Sequence, residues 1–203
     1  MQDRQLLSGL RSLGKVKAPG RVLEAILDEL ELGDSYASLN TELGLVFVAW
    51  NRLGISAVMK AATDQDFEAL FRARFGRAPR RAAALPVDVG EHFDLRSVTE
   101  FERAVLLKAR EIPRGEVRTY GWIAAQIGHP AAVRAVGSAL RKNPVPILIP
   151  CHRVVRSDGH IGNYALGGAE NKRAILKAEG VRLEKIHELA RLWSPSTSGR
   201  GRG

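Results

Sequence analysis

The sequence predicts a mixed α/β chain of the α+β kind. A small N-terminal sheet-and-helix domain, residues 35–90, is followed by a mostly helical C-terminal domain, residues 98–193, with a helix-turn-helix. Three observations predict this. Apolar residues between Tyr36 and Lys60 follow β spacing around a turn. Apolar residues after Thr99 recur at helical spacing behind capping residues. The excess of positive charge is confined to the second half: residues 1–97 hold 13 Lys and Arg against 13 Asp and Glu, residues 98–203 hold 18 against 9, and the net +9 of the 203-residue chain therefore lies wholly in the C-terminal part. Such a surface is either merely solvated or faces an acidic partner, for which duplex phosphate is the common case.

In chain order, residues 1–34 read as an arm and a helix, with Val22, Leu23, Ile26, Leu27 and Leu30 in helical register and Gly33 as the stop. Residues 43–50 and 55–59 read as strands flanking the turn Asn51-Arg52-Leu53-Gly54. Asp64 is expected to cap a helix through Phe67, Leu70, Phe71 and Phe75 that ends at Gly76, and residues 79–86 read as a linker. Thr99-Glu100-Phe101-Glu102 is a capping box for a helix burying Phe101, Val105, Leu106 and Ile112. Thr119 caps a short helix through Ile123 and Ile127, which Gly128 ends. A second helix, from about 131 to 141, carries Arg134 near its start and Arg141 at its end, and the pair has helix-turn-helix spacing. Val145, Ile147, Leu148 and Ile149 form an apolar run expected to be a buried strand, punctuated by Pro144 and Pro146 and ended by Pro150. The Gly-rich loop 161–168 lacks the lysine and hydroxyl of a phosphate-cradling loop and reads as a backbone wall. A helix over 169–179 stops at Gly180, and residues 194–203 have the composition of a disordered basic tail.

Cys151 is the single cysteine, so an internal disulfide is excluded, and the five histidines lack metal-ligand spacing. No metal or cofactor is expected. A lone cysteine is most often a small buried hydrophobe. Its neighbours in Ile149-Pro150-Cys151-His152-Arg153-Val154 propose a nucleophile instead: the thiolate is the attacking form, and an imidazole and a guanidinium both lie within two residues. In an extended strand Cys151 and His152 would point to opposite faces, so a working pair needs a turn there or a bridging water. No charged-then-apolar leader opens the chain and no apolar run reaches about 18 residues, which predicts a cytoplasmic protein without membrane association.

Asn143-Pro144-Val145-Pro146, Ile149-Pro150-Cys151-His152-Arg153-Val154-Val155 and Gly162-Asn163-Tyr164, in that order behind a helix-turn-helix, resemble the O6-alkylguanine-DNA alkyltransferases over residues 98–182. The resemblance implies a winged-helix-like C-terminal domain and a monomer that acts once, without a cofactor, on double-stranded DNA containing O6-alkylguanine. It makes Cys151 the alkyl acceptor, His152 the base acting through a water, Glu179 the group orienting the imidazole, and Asn143 the brace of the turn. Tyr120 would protonate the leaving guanine, assisted by Lys172. Arg134 would enter the base stack from a helix in the minor groove, with Ala131, Ala135, Arg141 and Tyr120 on the DNA side. Pro146, Val154, Val155, Gly162, Asn163, Tyr164 and Ala165 would shape the pocket. Two departures bear on that pocket: Ala165 stands where the family often has serine, and the stretch from Tyr164 to Lys172 is one residue longer than usual, with Leu166 the extra residue.

Two other classes compete with alkyl transfer. A non-catalytic module would bind alkylated DNA or regulate transcription through the same helices, which the presence of Cys151 disfavours. A Cys-His hydrolase or thioesterase would turn over repeatedly.

Overall fold

Three strands open the fold: β1 (Ser35–Thr41), β2 (Gly44–Asn51) and β3 (Gly54–Lys60). A computed structural model describes residues 33–86 and 92–192, so the expected N-terminal helix and basic tail lie outside the described residues. The strands form an antiparallel meander, and β4 (Arg80–Arg81) adds to β1 in parallel, giving the order β3-β2-β1-β4. Two expectations change here. The β region holds three strands, because Thr41 Oγ1 accepts the Leu43 N–H at 3.1 Å and closes a tight turn that separates β1 from β2. The expected linker at 79–86 contains β4, where the N–H groups of Arg80 and of Ala82 just beyond it donate to the Asp34 and Tyr36 carbonyls.

Helix α1 (Asp64–Phe75) is capped by Thr63, whose side chain accepts from Asp66 N, so the cap lies one residue before the one expected. It ends on Gly76 at φ 71, a left-handed turn that glycine adopts without steric cost. Phe67 and Phe71 of α1 pack on Tyr36, Phe47, Ala49 and Ala57 from one face of the sheet. The opposite face, Val46, Val48, Ile55 and Val58, joins a second cluster with Val105, Leu106, Ile123, Val136, Ile149 and Cys151. Burial on both faces explains why β2 reads as a nearly unbroken apolar run.

The C-terminal elements are α2 (Glu100–Arg110), β5 (Arg118–Thr119), α3 (Tyr120–Gln126), α4 (Val133–Arg141), a 3-10 turn (Cys151–Arg153), β6 (Val154–Val155), α5 (Gly168–Ala178) and, after a second 3-10 turn, α6 (Ile186–Leu192). The Thr99 capping box is complete, with the Thr99 hydroxyl and the Glu102 carboxylate each accepting the other's backbone N–H. Ile112 is buried but lies beyond the end of α2, and Phe101 is half-buried. Helix α4 starts at Val133, leaving Ala131 in the preceding turn. The expected strand at 145–149 is a turn: Val145 and Ile149 are buried, while Ile147 and Leu148 stand exposed at its tip and Ile147 adopts φ 76. Pro144, Pro146 and Pro150 remove three backbone donors from this stretch, so no ladder can run along it. Among the described residues no helix is long and apolar enough to cross a membrane.

Candidate active site

The short parallel pair β5 and β6 sets the geometry. Arg118 lies against Val154 and Thr119 against Val155, so Tyr120, the first residue of α3, emerges beside the helical turn that carries Cys151. Asn143, one residue past the C-cap of α4, organises the floor. Its Oδ1 accepts the Val145 N–H at 3.0 Å, and its Nδ2 donates to the Ile149 carbonyl at 2.9 Å and to Cys151 Sγ at 3.3 Å. Cys151 itself begins a single 3-10 turn, which takes Cys151 and His152 out of the extended geometry that would separate them.

His152 is wholly buried, and its Nε2 lies 3.0 Å from Glu179 Oε1. Arg153 grips the same carboxylate with two bonds, Nε to Oε2 at 2.9 Å and Nη2 to Oε1 at 2.7 Å, and its Nη1 donates to the Ile112 carbonyl at 2.6 Å. Burial alone would raise the Glu179 carboxyl, but the hydrogen bonds from Arg153 and His152 outweigh it and hold it below its ordinary value. An ionised carboxylate only accepts, so Nε2 carries the imidazole proton and Nδ1 is left as a buried acceptor with no partner among the described residues. Burial lowers the His152 pKa, with Glu179 pulling the other way, so the ring is neutral at pH 7. Arg153 is therefore committed to Glu179 and is not the thiol's counter-charge, contrary to the reading of its proximity in sequence.

Burial also pushes the Cys151 thiol up, against the lowering effects of the Asn143 hydrogen bond and the Lys172 charge. Lys172 is buried, donates from Nζ to the Val154 carbonyl at 2.7 Å, and is brought down by burial to about 8. Burial raises the Tyr120 hydroxyl, which stays a proton donor at neutral pH. Cys151 opens onto a cavity of about 420 Å³ lined by Tyr120, Gly137, Leu140, Arg141, Asn163, Tyr164 and Ala165. Chemically, this is a protonated thiol facing a half-polar pocket that contains a phenol, with a neutral imidazole, held by a carboxylate, on the next residue of the same 3-10 turn.

Residues 100–181 match the family described as the 6-O-methylguanine DNA methyltransferase DNA-binding domain. A methylated-DNA–protein-cysteine methyltransferase of Rattus norvegicus is 55% identical over 82 residues, which are 40% of this chain and 39% of that protein. The one from Methanosarcina acetivorans is 43% identical over 109 residues, 52% of this chain and 69% of that protein. The chain belongs to the methylated-DNA–protein-cysteine methyltransferase family. Among solved structures, Mycobacterium tuberculosis OGT in complex with DNA superposes with a TM-score of 0.58 at 28% identity, covering 75% of this chain and 98% of that one. The match spans about two fifths of the rat relative's length and half of the mouse relative's.

Set against the family pattern, the residues named from sequence fall into three groups. Cys151 and Tyr120 line the cavity, while outside its lining Asn143 bonds the thiol, Glu179 bonds His152 and Lys172 bonds the Val154 carbonyl. Asn163, Tyr164, Ala165 and Arg141 line the cavity, whereas Pro146, Val154, Val155 and Gly162 are not among its lining residues. Val154 and Val155 are buried behind it in β6, Pro146 is buried in the turn, and Gly162 stands where an added Cβ would lie 3.6 Å from the Tyr120 hydroxyl. Ala131, Arg134 and Ala135 are exposed at the N-terminal end of α4 and its approach, apart from the cavity; Arg134 makes no hydrogen bond or ion pair within the described residues. Leu166, expected from sequence to be the extra loop residue, packs into the core, while Asn171 Nδ2 donates to its carbonyl at 2.7 Å. Sequence reasoning missed Gly137 and Leu140. Part of the signal was present: Gly137 lies three residues after Arg134 and four before Arg141, Leu140 lies three after Gly137, and Gly137 leaves the Tyr120 ring 3.8 Å from where a Cβ would sit.

Proposed function

We propose that the protein moves an alkyl group from the O6 oxygen of guanine in duplex DNA to Sγ of Cys151, repairing the base by direct reversal. The observation that carries this reading is the hydrogen-bonded series Arg153, Glu179, His152 behind a thiol that Asn143 orients into the cavity. His152 takes the thiol proton on Nδ1 through a water, and the thiolate attacks the alkyl carbon. The S–C bond forms as the C–O6 bond breaks; the electron pair left on guanine is matched by a proton from Tyr120, with Lys172 favouring the resulting phenolate. Reprotonation of Tyr120 and deprotonation of His152 through solvent close the proton balance. The thioether has no good leaving group, so the molecule acts once.

The helices α3 and α4 fit a minor-groove reader, with Arg134 filling the gap left by an extruded nucleotide and the C-terminal charge surplus binding the backbone. A monomer acting in the cytoplasm suffices for this chemistry. Mass measurement after incubation with O6-methylguanine duplex tests the proposal. One methyl mass retained on the wild-type chain and none on Cys151→Ala is the expected result. Unchanged mass with tight binding would favour the non-catalytic module, and product beyond one equivalent would favour a hydrolase.

A further inference from the structure

Arg74, near the C-terminus of α1, is far from the cavity in sequence and carries no carboxylate partner among the described residues. Its Nη2 instead donates to the backbone carbonyl of Lys142 at 2.5 Å. Lys142 is the C-cap of α4, where the helix presents the negative end of its dipole, a favourable place for a cation. Two residues on, the Pro144 carbonyl accepts the backbone N–H of Val58 in β3 at 2.8 Å. The two peptide carbonyls flanking Asn143 are thus both held by the N-terminal sheet-and-helix unit, one by a side chain and one by a strand. On its other side Lys142 is tied by Nζ to Glu102 Oε1 at 2.6 Å, within the capping box of α2. Asn143 has little freedom left, and its Nδ2 is the protein group that donates to the thiol.

We propose that the N-terminal unit sets the position of Cys151 through this grip, with Arg74 as a positioning residue that acts on the thiol by fixing Asn143. The inference rests on the alkyl-transfer reading of the cavity but predicts a property of the thiol itself. Loosening Lys142 lets Asn143 rotate away from Sγ, and a thiolate that loses a hydrogen bond becomes harder to form.

The test uses the full chain with Arg74→Ala, Arg74→Lys, Asn143→Ala, the Arg74/Asn143 double variant, and Arg72→Ala as a control on the same helix. Two rates are read in each: transfer from O6-methylguanine duplex, and alkylation of Cys151 by iodoacetamide as a function of pH. Arg74→Ala should slow transfer about fivefold, the equivalent of about 1 kcal/mol of charge interaction at a helix terminus, and move the iodoacetamide profile to higher pH. Arg74→Lys should recover most of both effects, Arg72→Ala should change neither, and the double variant should behave as Asn143→Ala alone. An unmoved iodoacetamide profile in Arg74→Ala, or full additivity in the double variant, overturns the inference even if melting temperature falls. No transfer in wild type together with a shifted thiol profile would remove the alkyl-transfer reading and leave the positioning role standing.

Discussion

Lys172 shows how the site trades stability for chemistry. The residue is 1% exposed, and among the described residues its ammonium has one hydrogen-bond partner, the Val154 carbonyl. In the unfolded chain a lysine titrates near ~10.4; here burial brings it to about 8. Below pH 8 it is charged in both states and the folded state carries the full desolvation penalty. Between those two values only the unfolded chain binds the proton, so stability rises with pH across that window. The gap corresponds to about 3 kcal/mol, less about 1 for the hydrogen bond that a methionine could not make. Lys172→Met should therefore be about 2 kcal/mol more stable at pH 7, with the gain shrinking by pH 9.5, and slower in transfer. Urea titrations at the two pH values decide it, and a destabilised variant at pH 7 would refute the buried-cation account.

At the scale of elements, the β2–β3 turn does more than reverse the chain. Gly54 sits at φ 121, and a Cβ there would lie 2.2 Å from the His92 carbonyl oxygen, because Ile55 accepts and donates backbone bonds with residues 92–94 as the chain passes between its two parts. Gly54→Ala should cost upwards of about 2 kcal/mol, combining backbone strain with a displaced segment at residues 92–94, and a urea midpoint within error of wild type would contradict this. That role was not legible in the sequence, which announces the turn but not what crosses it. The caps at Thr99 and Thr119 and the stop at Gly76 were legible because they are local hydrogen-bond chemistry. The 145–149 turn was not: its composition is that of a strand, and what bends it is the side chain of Asn143 together with an Ile149 N–H bond to the Val145 carbonyl, neither of which has a periodicity. The convergence of Cys151, His152 and Glu179 was legible only through the family motif. The commitment of Arg153 to Glu179 depends on where α5 ends and could not be read from spacing.

Across the whole molecule, the sheet is the shared wall of two cores, and its polar seam lies at Asp34, Asn51, Ser56 and Asp94. Asn51 Nδ2 bridges both carboxylates at 3.0 and 2.8 Å, Arg96 grips Asp94 at 2.8 Å from both Nε and Nη2, and Arg77 pairs with Asp34. Burial pushes the Asp94 carboxyl up, but hydrogen bonds from Arg96 and Asn51 bring it to about 2. A depressed folded value means the contribution is present above the ordinary carboxylate range and is lost as pH falls toward 2, worth about 2 to 3 kcal/mol. Asp94→Asn should be destabilised at pH 7 and show a flatter loss of stability between pH 4 and pH 2; parallel acid curves for both proteins would dismiss the seam as the acid-sensitive point. Cys151, 6% exposed and kept as the thiol, belongs to the same two-sided architecture. On the alkyl-transfer reading each chain reacts once, so any stray electrophile that reaches the sulfur leaves that chain spent. Burial that disfavours the thiolate slows small alkylating agents, iodoacetamide among them, without excluding them, so that on the alkyl-transfer reading more chains stay available for a base that fills the cavity.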